Sequence, residues 1–306
     1  MELKKLHYGW LTAIFASALL ATHALPYYAF GIFIIPLTTE FGWDRGALST
    51  ALAMTTLIGG CLSFVSGALV DRYGPRILLT VAGLTSGAGF LLMPYISSLW
   101  QVYLIWGGLL AIGMACCYVP LITTIPRWFT KRIGMATAIA LSGFGFGGML
   151  WPPLIRWLIS AYDWRRAFLV AGLITLITMI TLAQFLKHSP QRAGLRPYGE
   201  NGSAEDEPRQ VTVTGGVPFK RAIKSAPFWL LGGTITAFFF CVQVIIAHIA
   251  PHIEDSGISA IVAAVILSIV AAGSIVGRLF MGFASDGIGT RRGLVASLIP
   301  MTLALL

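Results

Sequence analysis

Residues 67–76 read Gly67-Ala-Leu-Val-Asp71-Arg72-Tyr73-Gly74-Pro75-Arg76, and residues 282–291 read Gly282-Phe-Ala-Ser-Asp286-Gly287-Ile288-Gly289-Thr290-Arg291. Gly, Asp, Gly and Arg recur at the same offsets, each displaced by 215 positions. Each stretch follows one long apolar run and precedes another, so the two occupy equivalent points in a duplicated set of membrane spans. A glycine on the last turn of a span lets a neighbouring helix come close. The aspartate stands at the span's end, the later glycine permits a left-handed turn, and the arginine is set for a charge partner. Two readings stand: a tight, positively flanked loop, or a latch that holds one conformation and breaks during transport.

Composition agrees with the membrane reading. Of 306 residues, 57% are hydrophobic and 11% charged, and the mean hydropathy is +0.81. A soluble domain needs roughly 25% charged residues to solvate its surface. The formal charge of +9 is not a nucleic-acid footprint, because the basic residues fall in short gaps between apolar runs. Eight runs reach the about 20 residues a bilayer crossing requires: Tyr8–Leu37, Ala47–Val70, Ile77–Ile96, Leu99–Ile125, Ile133–Ser160, Ala167–Leu186, Phe228–Pro251 and Ala260–Ala284. A ninth begins near Gly293 and stops at Leu306. The first run is too long for a cleavable signal peptide and is expected to stay as a span. With the N-terminus in the cytoplasm, 16 of the 21 Lys and Arg residues fall on the cytoplasmic side. Arg45, Arg165 and Arg166 face outward, and Arg156 and Arg278 lie within spans. That bias sets the expected orientation.

From Lys187 to Ala226 the chain turns polar, with Pro190, Pro197, Gly199, Gly202, Gly215, Gly216 and the acidic run Glu205-Asp206-Glu207. It reads as a linker between two bundles. Pro218–Lys224 is open to two readings, a short interfacial helix with Lys220, Arg221 and Lys224 toward headgroups, or plain linker. The expected organisation is an N-terminal six-helix bundle (1–187), a cytoplasmic linker (188–226) and a partial C-terminal bundle (227–306).

The loop at Gly67, Asp71, Arg72, Gly74 and Arg76 resembles the signature of the major facilitator superfamily, G-x-x-x-D-R-x-G-R-R, with Pro75 in place of a basic residue. The copy at Gly282, Asp286, Gly289 and Arg291 is its degraded second form. The resemblance implies an all-α polytopic fold of two six-helix bundles, here with the second truncated within its ninth span. Further motifs look like the monocarboxylate porter branch, and less closely like its oxalate/formate exchanger relatives. They are His7-Tyr8-Gly9-Trp10, Glu40-Phe41-Gly42-Trp43-Asp44-Arg45, Arg127-Trp128-Phe129-Thr130-Lys131-Arg132-Ile133-Gly134 and Asp163-Trp164-Arg165-Arg166-Ala167-Phe168.

Arg278 stands in the eighth run, and none of the 12 acidic residues falls within a run. A guanidinium at membrane depth costs several kcal/mol unless it meets a partner or a watery cavity. The missing partner is then naturally a substrate carboxylate, which the planar fork can bind bidentately. The resemblance implies the same role, since monocarboxylate porters bind substrate through an eighth-span arginine at this distance from the loop. Snorkelling is the other reading, because Asp286 is eight residues on, about 12 Å along a helix.

Tyr118 matches a position that the resemblance places in the substrate site; packing alone is the alternative. Tyr28 stands, after Tyr27, where some relatives carry a first-span lysine. His23, one turn earlier, can titrate near neutrality or serve as a satisfied buried histidine. Ser274, one turn from Arg278, replaces an aspartate that some relatives use in proton coupling. His248 and His252 end the seventh run and are expected at an interface. Gly143, Gly145, Gly147 and Gly148 are close-packing positions, not a phosphate loop. Cys61, Cys116, Cys117 and Cys241 have no metal or disulfide spacing.

The expected activity is secondary transport of a small organic anion such as lactate or pyruvate by alternating access, coupled to protons or to a counter-anion. An anion exchanger of the oxalate/formate type and an exporter of another solute are the alternatives within transport. A non-transporting sensor would need an output domain. An enzyme is disfavoured, since no paired carboxylates or nucleophile–base set lies in the runs. No cofactor and no metal is expected. The partners are the substrate, the coupling ion and the lipid bilayer, and the protein is expected to be monomeric in the bacterial inner (plasma) membrane.

Overall fold

A computed structural model describes residues 7–200, 219–255 and 260–305. In lipid each backbone N–H and C=O must be satisfied within the protein, so apolar runs of this length become helices. They are α1 (Tyr8–His23), α2 (Leu25–Phe41), α3 (Arg45–Tyr73), α4 (Pro75–Leu92), α5 (Leu99–Val102), α6 (Ala111–Thr124), α7 (Ile133–Ala161), α8 (Trp164–Phe185), α9 (Phe219–Ala222), α10 (Ala226–Asp255), α11 (Ala260–Ile288) and α12 (Thr290–Leu305). Among the described residues, seven helical stretches are long and apolar enough to cross a membrane, six of them before residue 186. By contacts the chain forms two units, residues 201–270 and the remainder. The first holds α9, α10 and the beginning of α11, with the Trp229 indole N–H donating to the Ile223 carbonyl at 2.7 Å. The six leading stretches and everything from Ala271 onward belong to the second.

Polar residues of the sequence motifs start and stop these helices. Asp44 caps α3, its carboxylate accepting the Gly46 and Ala47 N–H groups at 2.7 and 3.2 Å. Asp163 caps α8 through the Arg166 N–H at 2.7 Å, and Gly42 ends α2 at φ 68°. These caps satisfy donors that the first turn of a helix leaves orphaned.

Two helices depart from the regular spans that their apolar runs suggest. The first run breaks at Ala24 between α1 and α2. Pro26 has no N–H, so the Thr22 carbonyl four residues earlier loses its helical donor. At the same level the Trp151 indole of α7 donates to the Ala21 carbonyl at 2.7 Å. Between α5 and α6 the turns widen to a π-helix over Tyr103–Leu110. A displaced turn of this kind re-aims side chains, and Trp106 sits here, buried edge-on against Phe30, Phe90 and Phe168.

α1 packs along α7, α4 along α8 and α3 along α6. The end of the bundle away from Asp71 is filled by bulk: Phe33 stacks on Phe168 with centroids 3.7 Å apart. Glu40 there accepts two bonds from Arg165, at 2.5 and 3.0 Å, and one from the Trp164 indole at 2.6 Å. A bidentate pair of this kind fixes geometry as well as charge. The α1–α7 seam instead uses small residues. A Cβ on Gly143 would run into the Ser17 carbonyl, and one on Gly147 into the Ala21 carbonyl. Lipid offers no hydrophobic force between helices, so such close approach supplies the association.

Gly143→Val is therefore expected to force α1 from α7 and destabilise the protein by about 1–3 kcal/mol. Gly31→Ala, with nothing within 4 Å of the added carbon, is expected to be neutral or stabilising. Melting temperatures of the two purified variants check the contrast.

Candidate functional site

α7 and the second half of α11 run antiparallel and touch at four successive levels. Gly145 lies against Ile275, whose Cγ1 would be 2.6 Å from a Cβ at that position, with the Ser274 hydroxyl 3.5 Å away. One turn on, Arg278 donates to the Leu141 carbonyl at 2.9 Å. The next level is Gly282 against Ala138 and the Gly134 carbonyl. At the last, the Asp286 carboxylate accepts the Gly134 N–H at 2.7 Å and the Met135 N–H at 2.9 Å. α7 starts from Arg132 with no side-chain cap of its own. Asp286 thus supplies from another helix what Asp44 and Asp163 supply locally, and its charge meets the positive end of the helix dipole.

Arg278 is half-buried, and its guanidinium is close enough to the Tyr28 and Tyr118 phenols to interact electrostatically with both. These rings belong to an aromatic group at the α1–α2 break. His23, 6% exposed, stacks on Tyr118 with centroids 6.4 Å apart and stands near Tyr27 and Phe144. Tyr28 packs on Phe144 at 5.6 Å. Five side chains from three separate stretches of sequence thus form one group, and two of them, Tyr28 and Tyr118, stand near Arg278. A groove of about 1390 Å³, lined by Lys131, Arg132, Met135, Leu141, Met281 and Asp286 among others, reaches Arg278 from the end where α7 begins.

The first loop copy is wired differently. Asp71 accepts from Arg127 at 2.8 Å, and the other Arg127 nitrogen donates to the His188 Nε2 at 2.8 Å. Arg76, the conserved-offset arginine of the repeat, donates to the Gln184 carbonyl. Arg72 stands over the Tyr73 ring, 5.3 Å from its centroid. Gly74 and Gly289 share positive φ, 84° and 87°. Gly67 makes only ordinary contact with Val119 at 3.9 Å, whereas Gly282 is needed for close approach. Arg291 is exposed.

A family model described as Major Facilitator Superfamily matches residues 10–306. The chain belongs to the major facilitator superfamily. It is thus a multi-pass integral membrane protein of a transporter family, and not an enzyme. Its curated relatives include "Monocarboxylate transporter 13" of Bos taurus, 27% identical over 284 residues, covering 92% of this chain and 62% of that protein. "Monocarboxylate transporter 11" of Homo sapiens is 29% identical over 285 residues, covering 91% and 56%. "Oxalate:formate antiporter" of Oxalobacter formigenes is 27% identical over 284 residues, covering 92% and 64%. The chain spans about three fifths of the length of these relatives.

In this major facilitator protein the structure brings together Arg278, Tyr28, Tyr118, His23 and Ser274 from among the residues that the sequence singled out. The side chains of His248 and His252 lie outside the described residues. Sequence reading missed the Leu141 carbonyl, the Gly134 and Met135 N–H groups, Phe144 and Arg127. Backbone atoms carry no residue signature. Arg127 was visible only as part of a motif, because nothing linear ties it to Asp71.

The two aspartates are expected to differ in weight. The Asp71 side chain is 71% exposed and its partner Arg127 32%, so Asp71→Asn should cost less than about 1 kcal/mol. Asp286→Asn, which weakens charge-assisted bonds to a helix N-terminus, should cost about 1–2 kcal/mol. Hydrogen exchange in peptides covering residues 133–136 checks this: about tenfold faster for Asp286→Asn, unchanged for Asp71→Asn.

Proposed function

We propose that this protein is a secondary transporter of small monocarboxylates that works by alternating access, with Arg278 as the group that binds the carboxylate. One observation carries the reading: a half-buried guanidinium at the level of an aromatic group, in a helix whose one described carboxylate, Asp286, is two turns away and occupied by the N–H groups of Gly134 and Met135. Its hydrogen-bond partner is the Leu141 carbonyl, a neutral acceptor. A charged, bidentate carboxylate is the stronger acceptor by about twofold per bond, so a substrate can displace that contact. Tyr28 and Tyr118 offer phenolic O–H groups to the second face of the anion, and Ser274 adds a hydroxyl at the α7 seam. The relatives named monocarboxylate transporters support the substrate class.

The N-terminus is cytoplasmic in this proposal, which puts the Asp71 and Asp286 loops on the cytoplasmic side as latches. The bundle of residues 1–187 and that of 227–306, joined through 188–226, are the moving parts, and the protein acts as a monomer in the plasma membrane. Protons drive uptake, moving with the substrate. A second reading rests on the oxalate:formate antiporter relative: one cation with no neighbouring acid suits an exchanger, in which the departing anion is replaced by another.

The test is uptake of labelled lactate, pyruvate and oxalate into proteoliposomes under an inward proton gradient. Arg278→Ala is expected to lower uptake about 100-fold or more, since it removes two charge-assisted bonds. Arg278→Lys, which keeps the charge without the fork, should fall between. Uptake confined to vesicles preloaded with anion selects the exchanger. Native-level uptake by Arg278→Ala overturns the assignment of the arginine.

A further inference from the structure

Residues 188–200, expected as the start of a linker, are built onto the end of the bundle where α7 begins. Tyr198 donates its N–H to the Trp128 carbonyl at 2.8 Å. Its own carbonyl accepts the Thr130 N–H at 3.0 Å, the Lys131 N–H at 3.3 Å and the Thr130 hydroxyl at 3.0 Å. Phe129 and Tyr198 thereby form an isolated parallel bridge. The Tyr198 ring stands 5.4 Å from Trp10, 5.5 Å from His7 and 5.7 Å from Phe129, centroid to centroid. His7 makes a second tie. It accepts the Gly9 N–H at Nδ1 and donates Nε2–H to the Arg196 carbonyl, both at 3.1 Å. Gly199 adopts φ 90°, and a Cβ there would stand 2.7 Å from the Lys131 Cβ. The glycine is required twice over, for its backbone and for its closeness.

What this segment holds is a strained turn. Arg132 follows directly at φ 62° and ψ 33°, the one non-glycine with positive φ among the described residues. An L-residue in that region costs about 1–2 kcal/mol, and such conformations persist only where the surroundings impose them. Two and three residues later come the N–H groups of Gly134 and Met135 that Asp286 occupies. Strap, strained turn and latch therefore follow one another within residues 129–135.

We propose that Tyr198 is a positioning residue for the Asp286 latch: it clamps Thr130 and Lys131, holds Arg132 in its left-handed turn, and so aims the first N–H groups of α7 at the carboxylate. The proposal rests on the reading of Asp286 as a latch given above. It also assigns work to two motifs left without a role, His7–Trp10 and Arg127–Lys131, which Tyr198 joins. Without the strap the turn relaxes, the first turn of α7 frays, and the contact with Asp286 weakens although neither partner has changed.

The experiment uses the full-length protein with all its native cysteines, Cys61, Cys116, Cys117 and Cys241 among them, replaced by alanine. Spin labels at Ile77→Cys in α4 and Gly287→Cys in α11 report their separation by pulsed electron resonance. Tyr198→Ala is expected to raise the long-distance population about fivefold, the equivalent of losing the aromatic contacts. Tyr198→Phe, which keeps the ring and the backbone bonds, should restore the native distribution. Gly199→Ala breaks the strap by a different route and should match Tyr198→Ala, so the test survives poor expression of either. Asp286→Asn should lengthen the distance by itself, and Tyr198→Ala should add nothing on that background. If Asp286→Asn lengthens the distance while Tyr198→Ala and Gly199→Ala do not, or if the effects add, the strap is overturned. No response to Asp286→Asn removes the latch, and the strap with it.

Discussion

A helix that starts inside a membrane bundle begins with N–H groups that have no partner in the helix itself. α3 and α8 solve the problem locally, with Asp44 and Asp163 one residue ahead of the first turn. α7 does not. Its first residue follows a left-handed Arg132, and its N–H groups are taken by a carboxylate 151 and 152 positions away in sequence. The start of α7 is thus complete only while α11 lies against it. Everything between the two helices depends on that dependence, from Ala138 against Gly282 to Arg278 against the Leu141 carbonyl.

The ladder along α7 and α11 joins two kinds of chemistry on one helix face. Arg278, Gly282 and Asp286 are spaced by four residues, so they project from the same side. The aspartate meets backbone N–H groups, the glycine lets the helices touch, and the arginine meets a backbone carbonyl. In the proposed transport cycle, a substrate carboxylate that drew the guanidinium from Leu141 would remove one rung two turns from Asp286. On that proposal, binding and opening act on the same seam, with the helix itself as the connection.

The two ends of the bundle are built unlike one another. Away from the latch, Phe33, Phe90, Trp106 and Phe168 fill the interior, and the Glu40–Arg165 pair adds a bidentate tie. Those contacts bury large side chains against one another. Toward the latch, α7 meets α11 through small residues and a few hydrogen bonds. Such a contact costs little to break and forms in one register only, because a Cβ at Gly134 or Gly282 would collide. Near the centre Pro26 interrupts the first span, and the break leaves His23, Tyr27 and Tyr28 grouped with Tyr118 and Phe144, with Tyr28 and Tyr118 near the arginine.

Much of this was legible in the sequence. Apolar runs of this length have to be helices, since lipid leaves the backbone no other partner, and the displaced copy of Gly67–Arg76 at Gly282–Arg291 pointed to equivalent turns between them. Arg278 declared itself as a cation among runs without an acid. What composition and spacing could not decide was pairing. Both loop copies contain the same Gly, Asp, Gly and Arg, yet Asp71 meets Arg127 while Asp286 meets the backbone of α7. Residues 188–200 read as linker because they are polar, and nothing in their spacing showed that Tyr198 ties them to Trp128, Thr130 and Lys131. The reason is the same in each case. Local physics, the period of a helix or the cost of a charge in lipid, acts on residues within a turn or two of one another and leaves its mark on the chain. Contacts to backbone N–H and C=O groups are chemically alike at every position. Only the packing of helices, which brings particular turns within 3 Å, selects among them.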